Sequence, residues 1–207
     1  ALKERYPRLI YVSNKGFLPG PYDHRTALDE VVQMMGGLAY MTGPLDRPLR
    51  AGASVNDIMG GVFGAIGVLA ALKERETSGL GQEIQSALFE NNVFLVGQHM
   101  MQYAVTGQAA KPMPNRISAW AIYDVFEVLH AEKIFLAVVT DTQWQIFCEA
   151  FGFTDLFQDT NLASNNLRVQ QRAYLIPELQ ERLKNTPAAQ IADIFERHGL
   201  PYAPITK

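Results

Sequence analysis

The chain has 207 residues, 48% of them apolar, and a formal net charge of −3. That is enough apolar material for a sizeable core in one large domain, or one and a half. With no run of Lys and Arg, the charge argues against an electrostatic nucleic-acid footprint, although a small anion needs only a local cationic patch.

The opening Ala1-Leu-Lys-Glu-Arg-Tyr-Pro-Arg lacks Met and reads as the end of a helix running into a strand, so the chain is expected to be a piece of something longer. Leu9-Ile-Tyr-Val-Ser reads as a short buried strand, followed by the Gly and Pro punctuation of Asn14-Lys-Gly-Phe-Leu-Pro-Gly-Pro-Tyr. Such loops at strand ends often bind ligands in α/β sheets, which makes Lys15 and Gly16 candidates for ligand contact. Leu28, Val31, Val32, Met35 and Leu38 recur at helical spacing, predicting one amphipathic helix from about Thr26 to Met41.

A second helix is predicted from Ser54 or Asn56, both good N-caps, to about Glu76, before Thr77-Ser-Gly-Leu-Gly. Gly60, Gly64, Gly67 and Ala71 make one smooth stripe along it. Each Gly costs about 1 kcal/mol relative to Ala in a helix interior, so the stripe implies close approach of a neighbouring backbone or of a ligand. Gly60 and Gly61 are the ligand candidates, being nearest to Asp57. The apolar run Ile58 to Leu72 falls short of the ~20 residues that span a bilayer, and no signal peptide or membrane segment is expected.

Gln82-Glu-Ile-Gln-Ser-Ala alternates as a strand would, and Leu88 to Ala104 is a long apolar helix whose stretch from Phe94 to Met101 offers an apolar face. Thr106 to Pro114 reads as a linker. Beyond it, Tyr123-Asp-Val-Phe-Glu-Val-Leu and Lys133-Ile-Phe-Leu-Ala-Val-Val form a predicted hairpin around His130-Ala-Glu. Helices follow over Asp141 to Phe151, capped by Thr140 or Asp141, and over Leu167 to Lys184, interrupted by Pro177. The last has Thr186 as N-cap, Pro187 first and Gly199 just past its end. The elements read as α/β, with residues 115 to about 203 forming a smaller α+β domain.

Asp57 sits where a helix begins, so its carboxylate faces the positive end of the helix dipole, with glycines beside it. A helix cap and a nucleophile both fit that position. The single Cys148 excludes an internal disulfide, fits a reducing cytoplasmic compartment and reads as core packing. His24, His99, His130 and His198 are scattered without metal-ligand spacing, so no metal is expected. Ser13 and Ser54 lack a nucleophile-elbow pattern, and neither a Walker-type nor a GxGxxG phosphate loop is present.

Several stretches together resemble the class III CoA-transferases, the carnitine-dehydratase and bile-acid-inducible type. They are Pro7-Arg-Leu-Ile-Tyr-Val-Ser-Asn-Lys-Gly-Phe with Gly20-Pro-Tyr, Ala51-Gly-Ala-Ser-Val-Asn-Asp57-Ile-Met-Gly-Gly, and Thr77-Ser-Gly79-Leu-Gly81-Gln82 one helix beyond the aspartate. Asn115-Arg116, Tyr123-Asp-Val-Phe126 and Gly199-Leu-Pro-Tyr-Ala-Pro-Ile resemble the family's small domain. The resemblance implies that Asp57 is a catalytic aspartate carrying CoA from an acyl-CoA donor to a carboxylate acceptor through a mixed anhydride and an aspartyl-CoA thioester. CoA is then a substrate, with no permanently bound cofactor. The resemblance also implies a homodimer of interlocked chains, with residues 1–112 as part of a Rossmann-like large domain, 113–203 as a small α+β domain and 204–207 as the start of a return linker, and it places the nucleotide-binding half largely before residue 1.

Asp29 stands where many members carry an acid and is either a site residue or a solvated helix acid; Arg116 either meets a ligand or pairs with a surface acid. The chain departs from the family pattern at Ile117-Ser118 and Ala121-Ile122-Tyr123, and lacks the glycine-rich loop of some transferases near Asn115 to Trp120, leaving the acceptor open. Two rival readings are an α-methylacyl-CoA racemase, whose histidine position is filled by Leu28, and a non-catalytic fragment of the same fold.

Overall fold

The computed structural model describes residues 2–116 and 118–206; Ala1, Ile117 and Lys207, which fall at expected domain ends and at one departure from the family pattern, lie outside the described residues. The architecture is mixed α/β, in two compact units divided between Arg116 and Ile117.

The first unit runs α1 (Leu2–Arg5), β1 (Tyr11–Lys15), α2 (Asp29–Met35), α3 (Leu38–Thr42), α4 (Val55–Ser78), β2 (Glu83–Ala87) and α5 (Leu88–Thr106), ending in a 3-10 turn at Met113–Asn115. The strands β1 and β2 are parallel, with Tyr11 opposite Glu83 and Lys15 opposite Ala87. Parallel strands need a crossover, and α4 supplies it. Its glycine stripe meets the strands from one end to the other: a Cβ on Gly60 would contact Leu88, on Gly64 would contact Asn14 and Val12, and on Gly67 would lie 2.6 Å from Ile84 Cγ2. The helix therefore runs antiparallel to the strands, with its N-terminus at their carboxyl ends. Gly79, at φ 71°, closes the helix in the left-handed conformation that favours glycine. Two residues on, a Cβ on Gly81 would fall 2.0 Å from Leu9 O, which is why the Thr-x-Gly-x-Gly-Gln string needs glycine at its second position as well.

Three sequence expectations change here. The single helix from Thr26 to Met41 is two, because the chain turns at Gly36-Gly37: Gly37 has φ 86°, and a Cβ on Gly36 would collide with the Asn92 amide of α5. Ser54 stands at the N-cap of α4, but its hydroxyl makes no capping bond. By length and composition alone α4, at 24 residues, is long and apolar enough to cross a bilayer, longer than the run counted from sequence. In this unit its glycine face lies on the strands.

The second unit contains β3 (Ile122–Glu127), β4 (Lys133–Val138), α6 (Asp141–Phe151), α7 (Thr154–Gln158), α8 (Asn165–Gln170), α9 (Arg172–Leu183), α10 (Ala188–Arg197) and β5 (Tyr202–Pro204). The three strands form an antiparallel sheet in the order β3-β4-β5. Phe126, Ile134, Leu136, Trp144, Phe147, Leu179 and Phe195 share one core with Cys148, whose buried thiol is pushed up to about 12. Thr140 and Gln143 form a capping box on α6. The predicted helix over Leu167 to Lys184 breaks at Gln171, while Pro177 is accommodated inside α9. The final helix starts one residue later than expected, with Pro187 as its N-cap. The strand β5 has only three residues and contains a proline, too little signal for a sequence reading.

Buried Arg168 donates to Asp141 (2.5 Å) and to Leu162 O, and its guanidinium lies over Trp144. The Arg168 bond holds the Asp141 carboxyl below its ordinary value, and the forked Arg182 pairing lowers Asp155 to about 2 from 3.8. A carboxylate whose folded value is depressed adds stability above its unfolded value, and loses it as pH falls through the folded one. Both tryptophans, Trp120 and Trp144, lie in this unit, so their fluorescence reports on it. Its urea midpoint should hold steady above about pH 5 and decline from about pH 4 toward 2. Asp155→Asn should lower the midpoint at pH 6 and leave it less sensitive to acid.

Candidate active site

Asp57 is the third residue of α4, inside the first turn, where backbone N–H groups have no partners within the helix. The helix dipole favours negative charge there. The neighbouring Asn56 turns inward and is fully buried, its Nδ2 toward Asn92 Oδ1 at 3.4 Å, whereas Asp57 is exposed. Among the described residues no hydrogen bond or ion pair engages the Asp57 carboxylate.

The carboxylate lines a cleft of about 350 Å³ at the carboxyl ends of the parallel strands. Asn14 and Lys15 reach it from the end of β1, followed by Gly16; Asp57, Gly60 and Gly61 come from the first turns of α4; Ser86, Leu88 and Ala27 complete the wall. This is the place in an open α/β arrangement where ligands bind, because the loops leaving the strands diverge there. Gly16 is pressed against Ala27, whose Cβ would lie 2.3 Å from an added Cβ, and the loop is tied to α5 by Phe89 N to Gly16 O and by Leu18 N to Glu90 Oε1. Gly61 differs: an added Cβ would meet nothing within 4 Å, so the helix backbone itself faces the cleft. Ser86 Oγ donates to Gly60 O at 3.0 Å, fixing the turn from behind.

Of the seven residues singled out from sequence, Asp57, Lys15, Gly16, Gly60 and Gly61 therefore share one cleft. Asp29 is buried beneath the start of α4, away from the cleft lining, and accepts a 2.8 Å bond from Asn56 N. Arg116 is exposed, with its Nη1 3.1 Å from Met113 Sδ, and does not line the cleft. A second hollow of about 410 Å³ shares Lys15 and Gly16 and adds Phe17, Pro19, Asp23 and Arg25. Sequence reasoning passed over Arg25; a cation in a Gly- and Pro-rich loop after a strand was the available signal. A further hollow, about 650 Å³, lies at the far end of α4 around Arg8, Leu72 and Arg75. Size does not make it the site, since Arg8 and Arg75 both bond backbone carbonyls there.

A model of CoA-transferase family III matches residues 1–207. Among curated relatives, acetyl-CoA:oxalate CoA-transferase of Acetobacter aceti is 32% identical over 96% of this chain and 52% of its own length. Succinyl-CoA:glutarate CoA-transferase of Mus musculus is 29% identical over 96% of this chain and 46% of its own. A crystal structure of a CAIB/BAIF family protein from Brucella suis superposes with a TM-score of 0.84 at 32% identity, covering 100% of this chain and 55% of that one. The chain thus spans about half the length of the curated relatives it matches.

Two of the three glycines that line the cleft, Gly16 and Gly61, should respond oppositely to a methyl group. Gly61→Ala, placed in open space within a helix, should leave stability unchanged or raise it by up to about 1 kcal/mol. Gly16→Ala should lower it by about 1–3 kcal/mol through overpacking against Ala27. Chemical denaturation of the two variants beside the unsubstituted protein measures both.

Proposed function

The chain belongs to CoA-transferase family III, and we propose that in the complete protein it carries the nucleophile for acyl-CoA:carboxylate CoA transfer, Asp57. The observation that carries this reading is the unpaired Asp57 carboxylate on a helix N-terminus, above an open glycine backbone, in a cleft at the strand ends.

In the proposed sequence an oxygen of Asp57 attacks the thioester carbon of the donor. The C–S bond breaks, and CoA leaves as thiolate from a mixed anhydride of Asp57 and the donor acid. The thiolate then attacks the aspartyl carbonyl, expelling the donor carboxylate and leaving an aspartyl-CoA thioester. The acceptor carboxylate attacks that thioester, giving a second anhydride and thiolate once more. Attack of the thiolate on the acceptor carbonyl releases the new acyl-CoA and restores the Asp57 carboxylate. Every step exchanges one acyl bond for another, so no redox or metal cofactor is required. The positive end of the α4 dipole is suited to stabilising the oxyanions; among the first-turn N–H groups, those of Val55, Asn56 and Ile58 already bond Ala53 O, Asp29 Oδ1 and Ser54 O, which leaves that of Asp57 among the described residues. Lys15 and Arg25, on the two adjoining hollows, are the cations we assign to the phosphates of CoA, with Gly16, Gly60 and Gly61 allowing close approach. Leu28, which fills the racemase histidine position, has no group that can move a proton, and that weighs against the racemase reading.

We place the enzyme in the cytoplasm as a homodimer. The free buried Cys148 is consistent with the first assignment. For the second, support comes from the exposed apolar stripe Ile58, Val62, Ile66 and Leu69 on α4.

Asp57→Ala and Asp57→Asn in the complete protein should reduce CoA transfer by on the order of a thousandfold or more, measured with succinyl-CoA against a panel of dicarboxylate acceptors. Hydroxylamine added during turnover should place a hydroxamate on Asp57 in peptide mass spectra. Exchange at an undiminished rate in Asp57→Ala would refute the reading.

A further inference from the structure

A second carboxylate lies directly beneath the first turn of α4. Asp29 begins α2 and is only 6% exposed, yet both its oxygens are occupied: Oδ1 accepts from Asn56 N at 2.8 Å, and Oδ2 accepts from Gln33 Nε2 at 2.6 Å. Gln33, fully buried one turn along α2, passes the connection on, its Oε1 accepting from Ala51 N at 2.8 Å. The pair thus grips both ends of the segment 51–56 that delivers Asp57. Asn56 N is one of the N–H groups a helix start leaves unpaired, and the nearby Ser54 hydroxyl does not cap it. The cap is supplied from another helix. Arg50 Nη2 stands 4.0 Å from Asp29 Oδ2 as an outer counter-charge.

We propose that Asp29 is a positioning residue: with Gln33 it clamps residues 51–56 from behind and so aims the Asp57 carboxylate into the cleft, acting through the Asn56 backbone instead of touching substrate. The proposal rests on the assignment of Asp57 as nucleophile. A nucleophile must lie about 3–3.5 Å from the carbon it attacks, and a misplacement of about 1 Å can slow reaction about a hundredfold, so the orientation of this one turn is where a clamp would act.

Three variants of the complete protein separate the roles. Asp29→Ala removes the acceptor for Asn56 N. Asp29→Asn keeps that acceptor but must donate to Gln33, which then turns its oxygen away from Ala51 N, so one bond of the clamp is lost. Gln33→Leu removes the Ala51 link alone. For Asp29→Ala, kcat should fall about a hundredfold while KM for the donor stays within about threefold. Asp29→Asn and Gln33→Leu should each recover to within about tenfold of the unsubstituted kcat. Backbone hydrogen exchange over residues 51–57 should be faster in Asp29→Ala and largely restored in Asp29→Asn. An unchanged kcat in Asp29→Ala overturns the proposal. So does a rise in KM alone, which marks a substrate contact, or an Asn variant no better than Ala in both measurements. If the unsubstituted protein transfers no CoA, the assignment of Asp57 fails, while the exchange data still decide whether the clamp exists.

Discussion

Gly64 and Gly67 let α4 lie against β1 and β2 more closely than a side chain would permit, since a Cβ on Gly67 would sit 2.6 Å from Ile84 Cγ2. The rest of the site follows from this contact. It sets the helix antiparallel to the strands, which carries the first turn to their carboxyl ends, and Gly81 against Leu9 O fixes the other end of the same unit. Each glycine costs about 1 kcal/mol of intrinsic helix propensity, so α4 is held as a helix chiefly by what it packs against. The glycines divide into two kinds. Those at 64 and 67 serve packing, whereas Gly61 faces open space and leaves backbone accessible in the cleft.

Two carboxylates share the N-terminal end of that helix, and their surroundings separate them. A buried carboxylate needs donors for its lone pairs, and Asp29 has Asn56 N and Gln33 Nε2. Asp57, the residue after Asn56 and exposed, has no such partner among the described residues. One acid therefore satisfies the backbone and the other stays available for a ligand. The second unit uses its ions differently: Asp141 with Arg168, Asp124 with Arg172 and Asp155 with Arg182 pair internally and tie helices to the sheet or to one another.

The units also differ in how fully they bury apolar side chains. Phe126, Phe147, Leu179 and Phe195 close a core in the second unit, while α4 leaves Ile58, Val62, Ile66 and Leu69 exposed along one face and α5 leaves Phe94 and Met101. Burying a large aliphatic or aromatic side chain contributes about 1.5–3 kcal/mol, so this exposed face of α4 and α5 is an apolar interaction surface of the first unit. Part of that surface belongs to the helix bearing Asp57.

Legibility in the sequence followed how local each signal was. The aspartate before a run of small residues, the stripe at helical spacing, the Gly79 stop and the hairpin around His130 are all written within a few neighbouring residues, and each of these lies within a few residues of its expected place. The Gly36-Gly37 pair is a turn signal in its own right, but the helical spacing of Leu28, Val31, Val32, Met35 and Leu38 runs through it, and the contact that enforces the break comes from Asn92, 56 positions away. The same holds for Asp29: its position marked it as an acid of interest, but its partner is a backbone N–H 27 residues downstream, and no side-chain pattern encodes that contact. Ser54 made the opposite impression. A residue type that caps helices well stands at the N-cap with its hydroxyl unused, since a carboxylate brought in by the fold reaches the orphan donor and forms a stronger, charge-assisted bond. Local preference proposes the partner, and tertiary packing replaces it where a charged acceptor can be carried into range.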